Sequence, residues 1–232
     1  MKRRPFISVI VVGAGAGKRF DHKLPKQFAN LAGRPVIVHS LQKFDRIKSV
    51  SEIVVVLPKR FLNYFQTEIC TKYQLKKVSR IIEGGSTRQE SVYRGLAAVD
   101  KQTNLVLVHD AVRPLVTEDE ILRLIKVALK TKAAILAKPL RDTVKQVQQS
   151  KVVKTHPREE FWLAQTPQAF EIQLLKKAYR KAMVEGFEGT DCSSLVERLG
   201  VSVKVVEGRS TNLKITQRED LILAEGMLKC SR

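Results

Sequence analysis

The sequence has few cysteines and no long apolar run, and each of these absences excludes a class of protein. Its three cysteines, Cys70, Cys192 and Cys230, are odd in number and form no C-x-x-C pair. Neither a disulfide framework nor a zinc site is therefore indicated. No apolar run approaches the ~20 residues that span a membrane, and the apolar segment before Gly13 is too short for a signal peptide. We expect a cytoplasmic protein with free thiols and no membrane partner.

Acidic and aromatic residues are also scarce. The chain carries 42 Lys and Arg against 23 Asp and Glu, for a formal net charge of +19, and aromatic residues make up 6% of it. A basic balance favours anionic partners. The cations are scattered through every segment, however, and there are few rings for bases to stack on. We therefore expect no specific nucleic-acid partner, and a small, highly anionic substrate fits better.

The 232 residues, 44% of them hydrophobic, suffice for one large domain. Apolar, β-branched runs predict strands at Phe6–Val12, Glu52–Leu57, 80–82, 105–108, 133–137 and 203–206. Periodic apolar residues predict helices at 35–47, 61–72, 86–99, 118–130, 171–184, 190–199 and 219–228. The alternation predicts an α/β, doubly wound, mostly parallel sheet.

Helix starts are predicted from capping residues. Ser86 and Gln89 have the spacing of a capping box, while Thr117 and Thr190 are suitable N-caps. In the 118–130 helix, Leu122 and Leu129 are expected on the apolar side together with its other large aliphatic residues.

A glycine-rich loop follows the first strand and resembles a phosphate cradle. Its glycines and cations are Gly13, Gly15, Gly17, Lys18, Arg19 and, after Pro25, Lys26. Glycines allow backbone N–H groups to approach an anion closely. The spacing fits neither the dinucleotide fingerprint nor the Walker phosphate loop, because Lys18 stands where the former needs glycine and Arg19 where the latter needs Ser or Thr. The alternative is a flexible βα turn with incidental surface charge.

Polar residues collect where later strands end. His109, Asp110 and Arg113 directly follow the predicted 105–108 strand. Ligands of open parallel sheets bind outside the carboxyl ends of strands, and a carboxylate such as Asp110 suits Mg²⁺. A lone histidine at such a place is more often structural. Gly85 and Ser91 could read a base or ribose at a helix N-terminus, although ordinary loop chemistry explains them equally well.

Residues 138–162 break the βα alternation. Polar and apolar residues alternate on both sides of Gln148–Ser150, which predicts a β-hairpin. A hairpin with so little apolar content is marginal alone. We therefore expect it to pack against a second subunit.

Six short sequence motifs follow one another along the chain: the glycine loop ending in Lys18-Arg19, then P-K-Q-F, H-D-A-x-R-P, R-D-T-x-K, T-P-Q and N-L-K-I-T. In this order they resemble the 2-C-methyl-D-erythritol 4-phosphate cytidylyltransferases. The resemblance implies a Rossmann-like nucleotidyltransferase fold, with residues 1–232 as a single domain and a protruding β-arm at 138–162 that holds a homodimer. It also implies the synthesis of CDP-methylerythritol and pyrophosphate from CTP, with Mg²⁺ or another divalent cation, in the non-mevalonate isoprenoid route.

The resemblance also implies catalytic roles for four cations. Arg19 and Lys26 match groups that stabilise the pentacoordinate α-phosphate. Lys214 and Arg158 match groups that position the acceptor phosphate.

Binding residues are implied in the same way. Ala14, Gly15 and Gly17 match the family's triphosphate loop. Gly85 and Ser91 match its cytosine pocket, and Asp110 and Ala111 match its ribose and metal site. The acceptor-site positions, some of which a partner subunit could supply, are Arg113, Thr143, Thr166 and Thr190. Asp110 is the implied metal ligand.

Two places depart from the family pattern, and two other functions stay open. Val12-Gly13 stands where the family usually has Pro-Ala, and Cys192 replaces a common acidic residue. A ribitol 5-phosphate cytidylyltransferase has a similar sequence. A non-catalytic, basic nucleic-acid-binding protein on the same fold is the alternative of another class.

Overall fold

The computed structural model describes residues 4–15 and 25–230. The predictions for Gly17, Lys18 and Arg19 therefore lie outside the described residues. Within them the strands are β1 Phe6–Val12, β2 Asn30–Leu31, β3 Arg34–Pro35, β4 Glu52–Leu57, β5 Val78–Glu83, β6 Thr103–Asp110, β7 Ala133–Pro139, β8 Val144–Gln148, β9 Lys151–His156, β10 Trp162–Glu171 and β11 Lys204–Glu207.

A seven-stranded sheet in the order β11-β7-β10-β6-β1-β4-β5 forms the centre of the molecule. β1 pairs in parallel with β4 and β6, and β4 with β5. This confirms the predicted doubly wound, mostly parallel sheet. β10 was not predicted: it runs antiparallel between β6 and β7, and it contains the T-P-Q block.

Helices cover both faces of this sheet. In the described residues they are α1 Val36–Arg46, α2 Leu62–Tyr64, α3 Arg88–Ala98, α4 Glu118–Thr131, α5 Ile172–Val184, α6 Cys192–Glu197 and α7 Arg218–Cys230. The first strand shows how the two cores form. Val9 and Val11 pack with α1 and α4 on one face, while Ile10 and Val12 pack with α3, α5 and α6 on the other. Successive side chains of a strand point to opposite faces, so a strand covered on both sides must be apolar throughout.

Two predicted helix starts were wrong by one residue. Thr87, not Ser86, caps α3 by accepting from the Glu90 amide. Asp191, not Thr190, caps α6 by accepting from the Ser194 amide. The predicted cap at Thr117 is confirmed, and Glu120 completes its capping box.

Two further helix predictions need correction. Leu122 and Leu129 are 48% and 47% exposed, so they lie outside the buried face of α4. The regular helix predicted at 61–72 is instead irregular: a 3-10 turn at Lys59–Phe61 leads into α2 and then a π-helical turn at Phe65–Cys70.

The predicted hairpin is confirmed as a separate two-stranded sheet. β8 and β9 pair antiparallel and turn at Gln149 and Ser150, which both have positive φ. None of the helices in residues 4–15 and 25–230 is long and apolar enough to cross a bilayer.

Candidate active site

A cleft of about 390 Å³ opens at the carboxyl ends of β1, β5 and β6. This is the edge where ligands of open α/β sheets bind. The predicted site residues that line it are Ala14, Gly15, Lys26, Gly85, Ser91, Asp110 and Lys214. Residues distant in sequence therefore meet at one place because parallel strands end at the same edge.

The described part of the glycine loop is fixed to its neighbours. The Gly13 amide donates to the Val56 carbonyl at 2.8 Å, and the buried Gln27 amide donates to the Gly13 carbonyl. A Cβ on Gly13 would lie 3.1 Å from Ala111 Cβ and 3.2 Å from Leu57 Cδ2. Glycine at this departure from the family pattern thus permits close packing against Ala111, which follows β6, and Leu57 at the end of β4.

Gly85 and Ser91 shape the opposite wall. The Ser91 hydroxyl donates to the Thr87 carbonyl at 2.9 Å and accepts from the Gly85 amide at 3.0 Å. Ser91 is 2% exposed. Its observed contacts are therefore structural ones that hold the 85–87 loop against α3, and its contact with a base stays a prediction.

Asp110 lies at the centre of the charged part of the cleft, as the last residue of β6. Its Oδ1 is 3.0 Å from Arg88 Nε, and its Oδ2 is 2.8 Å from Lys214 Nζ. Burial of the carboxyl would raise its pKa, but these two cations outweigh burial and hold the pKa of Asp110 well below its usual range. The carboxylate is therefore ionised whenever the site is assembled.

Arg88 was missed in the sequence, where it looks like an ordinary helix residue. It is the first residue of α3. The helix dipole disfavours a cation at a helix N-terminus. That unfavourable placement was the one feature of the sequence that could have indicated a special role for Arg88. Burial opposes its charge, yet the neighbouring Asp110 outweighs burial and keeps the pKa of Arg88 above its usual range.

His109 is a structural residue rather than a base. Its Nε2 lies 3.2 Å from the Arg113 carbonyl, which can only accept, so Nε2 carries the proton. Nδ1 then accepts from the Thr166 hydroxyl at 3.1 Å, and the same hydroxyl accepts from the Asp110 amide at 3.0 Å. Burial of the ring lowers the pKa of His109 to about 3, so it is neutral at physiological pH. Thr166 is 4% exposed, and its predicted acceptor contact stays a prediction.

Arg113 reaches across to the segment that carries Lys214. Its Nη1 donates to the Asn212 carbonyl at 2.7 Å and its Nη2 to the Ala164 carbonyl at 3.4 Å. Among the described residues its buried Nε finds no acceptor. Burial lowers the pKa of Arg113. A buried N–H without a partner is costly, which makes Arg113 a candidate to bind an anion.

Lys26 begins the 3-10 turn Lys26–Phe28, which follows Pro25. Its positive charge acts on Asp220, near the start of α7. Burial would raise the pKa of Asp220, but hydrogen bonds from Thr216 and Gln217, together with the charge of Lys26, lower it.

Six of the predicted residues that the structure describes lie outside the lining of the cleft: Arg113 and Thr166, whose contacts are given above, and Arg158, Thr143, Thr190 and Ala111. Arg158 is on the arm, where it donates to the Arg141 carbonyl at 2.9 Å, and Thr143 and Thr190 are exposed. Ala111 is buried, and its amide donates to the Val12 carbonyl at 2.9 Å. Gly17 and Arg19 fall outside the described residues.

The second departure from the family pattern lies directly behind Arg88. Cys192 is fully buried, with its Sγ 3.8 Å from Arg88 Nη1 and 3.2 Å from the Tyr179 hydroxyl. Burial raises the pKa of the Cys192 thiol. This thiol is therefore neutral and contacts the guanidinium as a weak hydrogen-bonding group.

The number of carboxylates in the cleft indicates how a metal ion could bind there. Among its described lining residues, Asp110 is the one carboxylate, and residues 4–15 and 25–230 hold no cluster of three His, Cys, Asp or Glu that could form a metal cage. Mg²⁺ binds through one or two carboxylates and completes its shell with phosphate oxygens and water. The residues present therefore fit a cation that arrives with a nucleotide.

Related proteins match this chain over nearly its full length. The chain is 45% identical over 221 residues to the 2-C-methyl-D-erythritol 4-phosphate cytidylyltransferase of Halalkalibacterium halodurans, covering 95% of this chain and 96% of that protein. The enzyme of the same name from Caldanaerobacter subterraneus is 43% identical over 224 residues, covering 96% and 99%.

Solved structures agree with these relatives. The 4-diphosphocytidyl-2C-methyl-D-erythritol synthase of Anaerococcus prevotii superposes with a TM-score of 0.87 at 36% identity, covering 97% of this chain and 99% of that one. The 2-C-methyl-D-erythritol 4-phosphate cytidylyltransferase of Thermus thermophilus gives a TM-score of 0.78 at 34% identity, covering 95% and 98%.

A sequence profile of the family described as 2-C-methyl-D-erythritol 4-phosphate cytidylyltransferase matches residues 7–230. With the fold, the cleft and the relatives in agreement, the chain belongs to the 2-C-methyl-D-erythritol 4-phosphate cytidylyltransferase family of nucleotidyltransferase enzymes.

Proposed function

We propose that this enzyme transfers the cytidylyl group of CTP to 2-C-methyl-D-erythritol 4-phosphate and releases pyrophosphate. The observation that carries the proposal is that Lys26, Arg88 and Lys214 line one cleft, in which Arg88 and Lys214 both pair with Asp110. An excess of positive charge there suits a reaction between two polyanions, and membership of the family supports the choice of substrates.

The chemistry requires no base from the protein. A phosphate monoester has its second pKa near ~6, so the acceptor is largely dianionic at neutral pH and is itself the nucleophile. One of its oxygens forms a bond to the α-phosphorus of CTP as the bond from that phosphorus to the bridging oxygen breaks. Pyrophosphate leaves with the electron pair. The neutral, fully bonded His109 agrees with a mechanism that takes no proton from the acceptor.

Catalysis then consists of positioning and charge stabilisation. Lys26 and Arg19 are proposed to stabilise the charge on the α-phosphate. Lys214 and Arg158 are proposed to hold the acceptor phosphate. The Ala14 and Gly15 backbone, with Gly17, would cradle the triphosphate.

The two ends of the substrates would bind on either side of these cations. Gly85 and Ser91 are proposed to contact the cytosine, and Asp110 with Ala111 the ribose. Acceptor-site roles are proposed for Arg113, Thr143, Thr166 and Thr190; the unpartnered Nε of Arg113 supports the first of them.

Asp110 is the residue that would hold a divalent cation, with Mg²⁺ the proposed one. When bound, such a cation neutralises phosphate charge. Asp110 contributes a carboxylate that stays ionised and is already oriented toward the cleft by its two cationic neighbours.

We further propose that the arm at 138–162 holds a homodimer. Val147 and Val152 lie directly opposite each other on β8 and β9 and are 54% and 62% exposed. Trp162 and Leu163 at the arm's base are 41% and 45% exposed. A second subunit would cover this apolar surface and could bring Arg158 and Thr143 to a partner's cleft.

Pyrophosphate release tests the proposal. CTP with methylerythritol phosphate should support turnover, whereas CTP with ribitol 5-phosphate, the matched control acceptor, should support little. UTP should be poorer than CTP by roughly tenfold to a hundredfold, because a pocket built for the cytosine amino group leaves the uracil carbonyl mismatched. ATP should be excluded by size. Equal kcat/KM for CTP and UTP would contradict the base-pocket assignment. A preference for ribitol 5-phosphate would contradict the proposed acceptor.

A further inference from the structure

The two oxygens of Asp110 have partners of different character. Oδ1 is paired with Arg88 Nε at 3.0 Å, and Oδ2 with Lys214 Nζ at 2.8 Å. The Arg88 side chain is 27% exposed and the Lys214 side chain 38%. Both cations line the cleft, but they are held in different ways.

Arg88 is held from behind. Thr87 caps α3 immediately before it, so its backbone is fixed. Its Nη1 is 3.8 Å from Cys192 Sγ, and that buried thiol is in turn 3.2 Å from the Tyr179 hydroxyl. The guanidinium therefore spans from the buried face of α6 to the carboxylate in the cleft.

Lys214 is held more loosely. It lies outside regular secondary structure, between β11 and α7, on a flexible four-carbon side chain. Among the described residues, Asp110 is the one ion-pair partner of its ammonium. Of the two contacts to Asp110, the contact between Lys214 and Oδ2 is therefore the one that another ligand can replace.

We propose that Arg88 is a positioning residue that fixes Oδ1 of Asp110, so that Oδ2 alone exchanges between Lys214 and the bound nucleotide. Oδ2 of Asp110 then accepts from a ribose hydroxyl of the nucleotide or would hold its divalent cation, and Lys214 is thereby released toward the acceptor phosphate. This inference rests on the proposed function. Without Arg88 the carboxylate could turn both oxygens to Lys214, which would hold that lysine away from the acceptor.

A double-mutant cycle between Arg88→Met and Asp110→Asn tests whether Arg88 acts through Asp110. Binding of CTP with Mg²⁺ is measured by calorimetry, and kcat/KM by pyrophosphate release. We expect Arg88→Met to lower kcat/KM by about tenfold or more, and the double variant to lose no more than about twofold beyond Asp110→Asn, since groups that act as a unit are not additive. Arg123→Met, an exposed arginine of α4 paired with Asp119, is the matched control.

Three results would overturn the inference. Losses that multiply in the double variant would mean that Arg88 contacts the nucleotide itself. Unchanged kcat/KM with a lower melting temperature would make Arg88 merely structural. Arg88→Lys should recover part of the loss, because an ammonium can still pair with Oδ1, and a lysine variant no better than the methionine variant would contradict this.

The exchange at Oδ2 has its own test. Lys214→Met should bind CTP with Mg²⁺ at least as tightly as the wild type, because the competitor for Oδ2 is gone, while its KM for the acceptor rises. Weaker CTP binding would overturn the exchange. A wild-type protein inactive with CTP and methylerythritol phosphate would instead refute the proposed function, so the two failures are distinguishable.

Discussion

The neutral, buried His109 makes a quantitative prediction about stability in acid. In the folded protein its pKa is about 3, whereas an unfolded chain has the ordinary value of about 6.5. As the pH falls below about 6.5, the unfolded chain therefore takes up a proton that the folded protein does not. The free energy of unfolding must therefore decrease as the pH is lowered. The contribution of His109 to stability is complete only above its pKa in the unfolded chain.

The size of the effect follows from these two values. Between about pH 7.5 and about pH 5, His109 should remove about 2 kcal/mol from the free energy of unfolding. The contacts that keep the ring neutral are specific: Nε2 to the Arg113 carbonyl, Nδ1 to the Thr166 hydroxyl, and an edge contact with Phe44 at a centroid distance of 5.0 Å.

Urea unfolding of the wild type and of His109→Gln across that pH range is the assay. The amide of glutamine can still donate toward the Arg113 carbonyl but does not titrate. His39, whose pKa burial also lowers, contributes equally to both proteins and cancels in the difference. The variant should lose about 2 kcal/mol less than the wild type on acidification. Equal losses in the two proteins would refute the neutral, buried histidine.

Three further predictions concern the site and the arm. Lys26→Ala should lower turnover by about 10²-fold or more with little change in melting temperature, since it acts on developing charge; full turnover with earlier melting would make Lys26 structural. Gly84→Ala should weaken CTP binding in calorimetry and destabilise the fold by about 1–3 kcal/mol, because its methyl group would collide with Ala14. The control Gly226→Ala, with open space around it in α7, should melt no earlier than wild type. Val152→Lys should shift sedimentation from dimer to monomer, and a wild type that sediments as a monomer at assay concentration would contradict the arm's role.

The sequence by itself determined the elements whose burial shows in local pattern. Glu52–Leu57 is apolar and β-branched almost throughout, and it forms a strand with those bounds because both of its faces are covered. The alternation around Gln148–Ser150 determined the hairpin. Placing Asp110 at the sheet edge also needed only the sequence, since parallel strands present their carboxyl ends together.

Tertiary structure decided what no local pattern records. β10 carries Gln165, Thr166 and Pro167 in its middle, and its strand conformation is stabilised by antiparallel pairing with β6 on one side and β7 on the other. The choice of Asp191 over Thr190 as a cap depends on Gln168, whose amide donates to the Asp191 carboxylate at 2.7 Å from the neighbouring strand.

The cleft's charge arrangement depends most on tertiary structure. Arg88 meets Asp110 across 22 residues and Cys192 across 104, whereas Lys214 joins from a third segment of the chain. Periodicity reports which face of an element is buried, but not which charged side chain on another element will meet it. That is set by strand order and by the packing of α3 and α6 against the sheet, so Arg88 became recognisable as part of the site only in the folded chain.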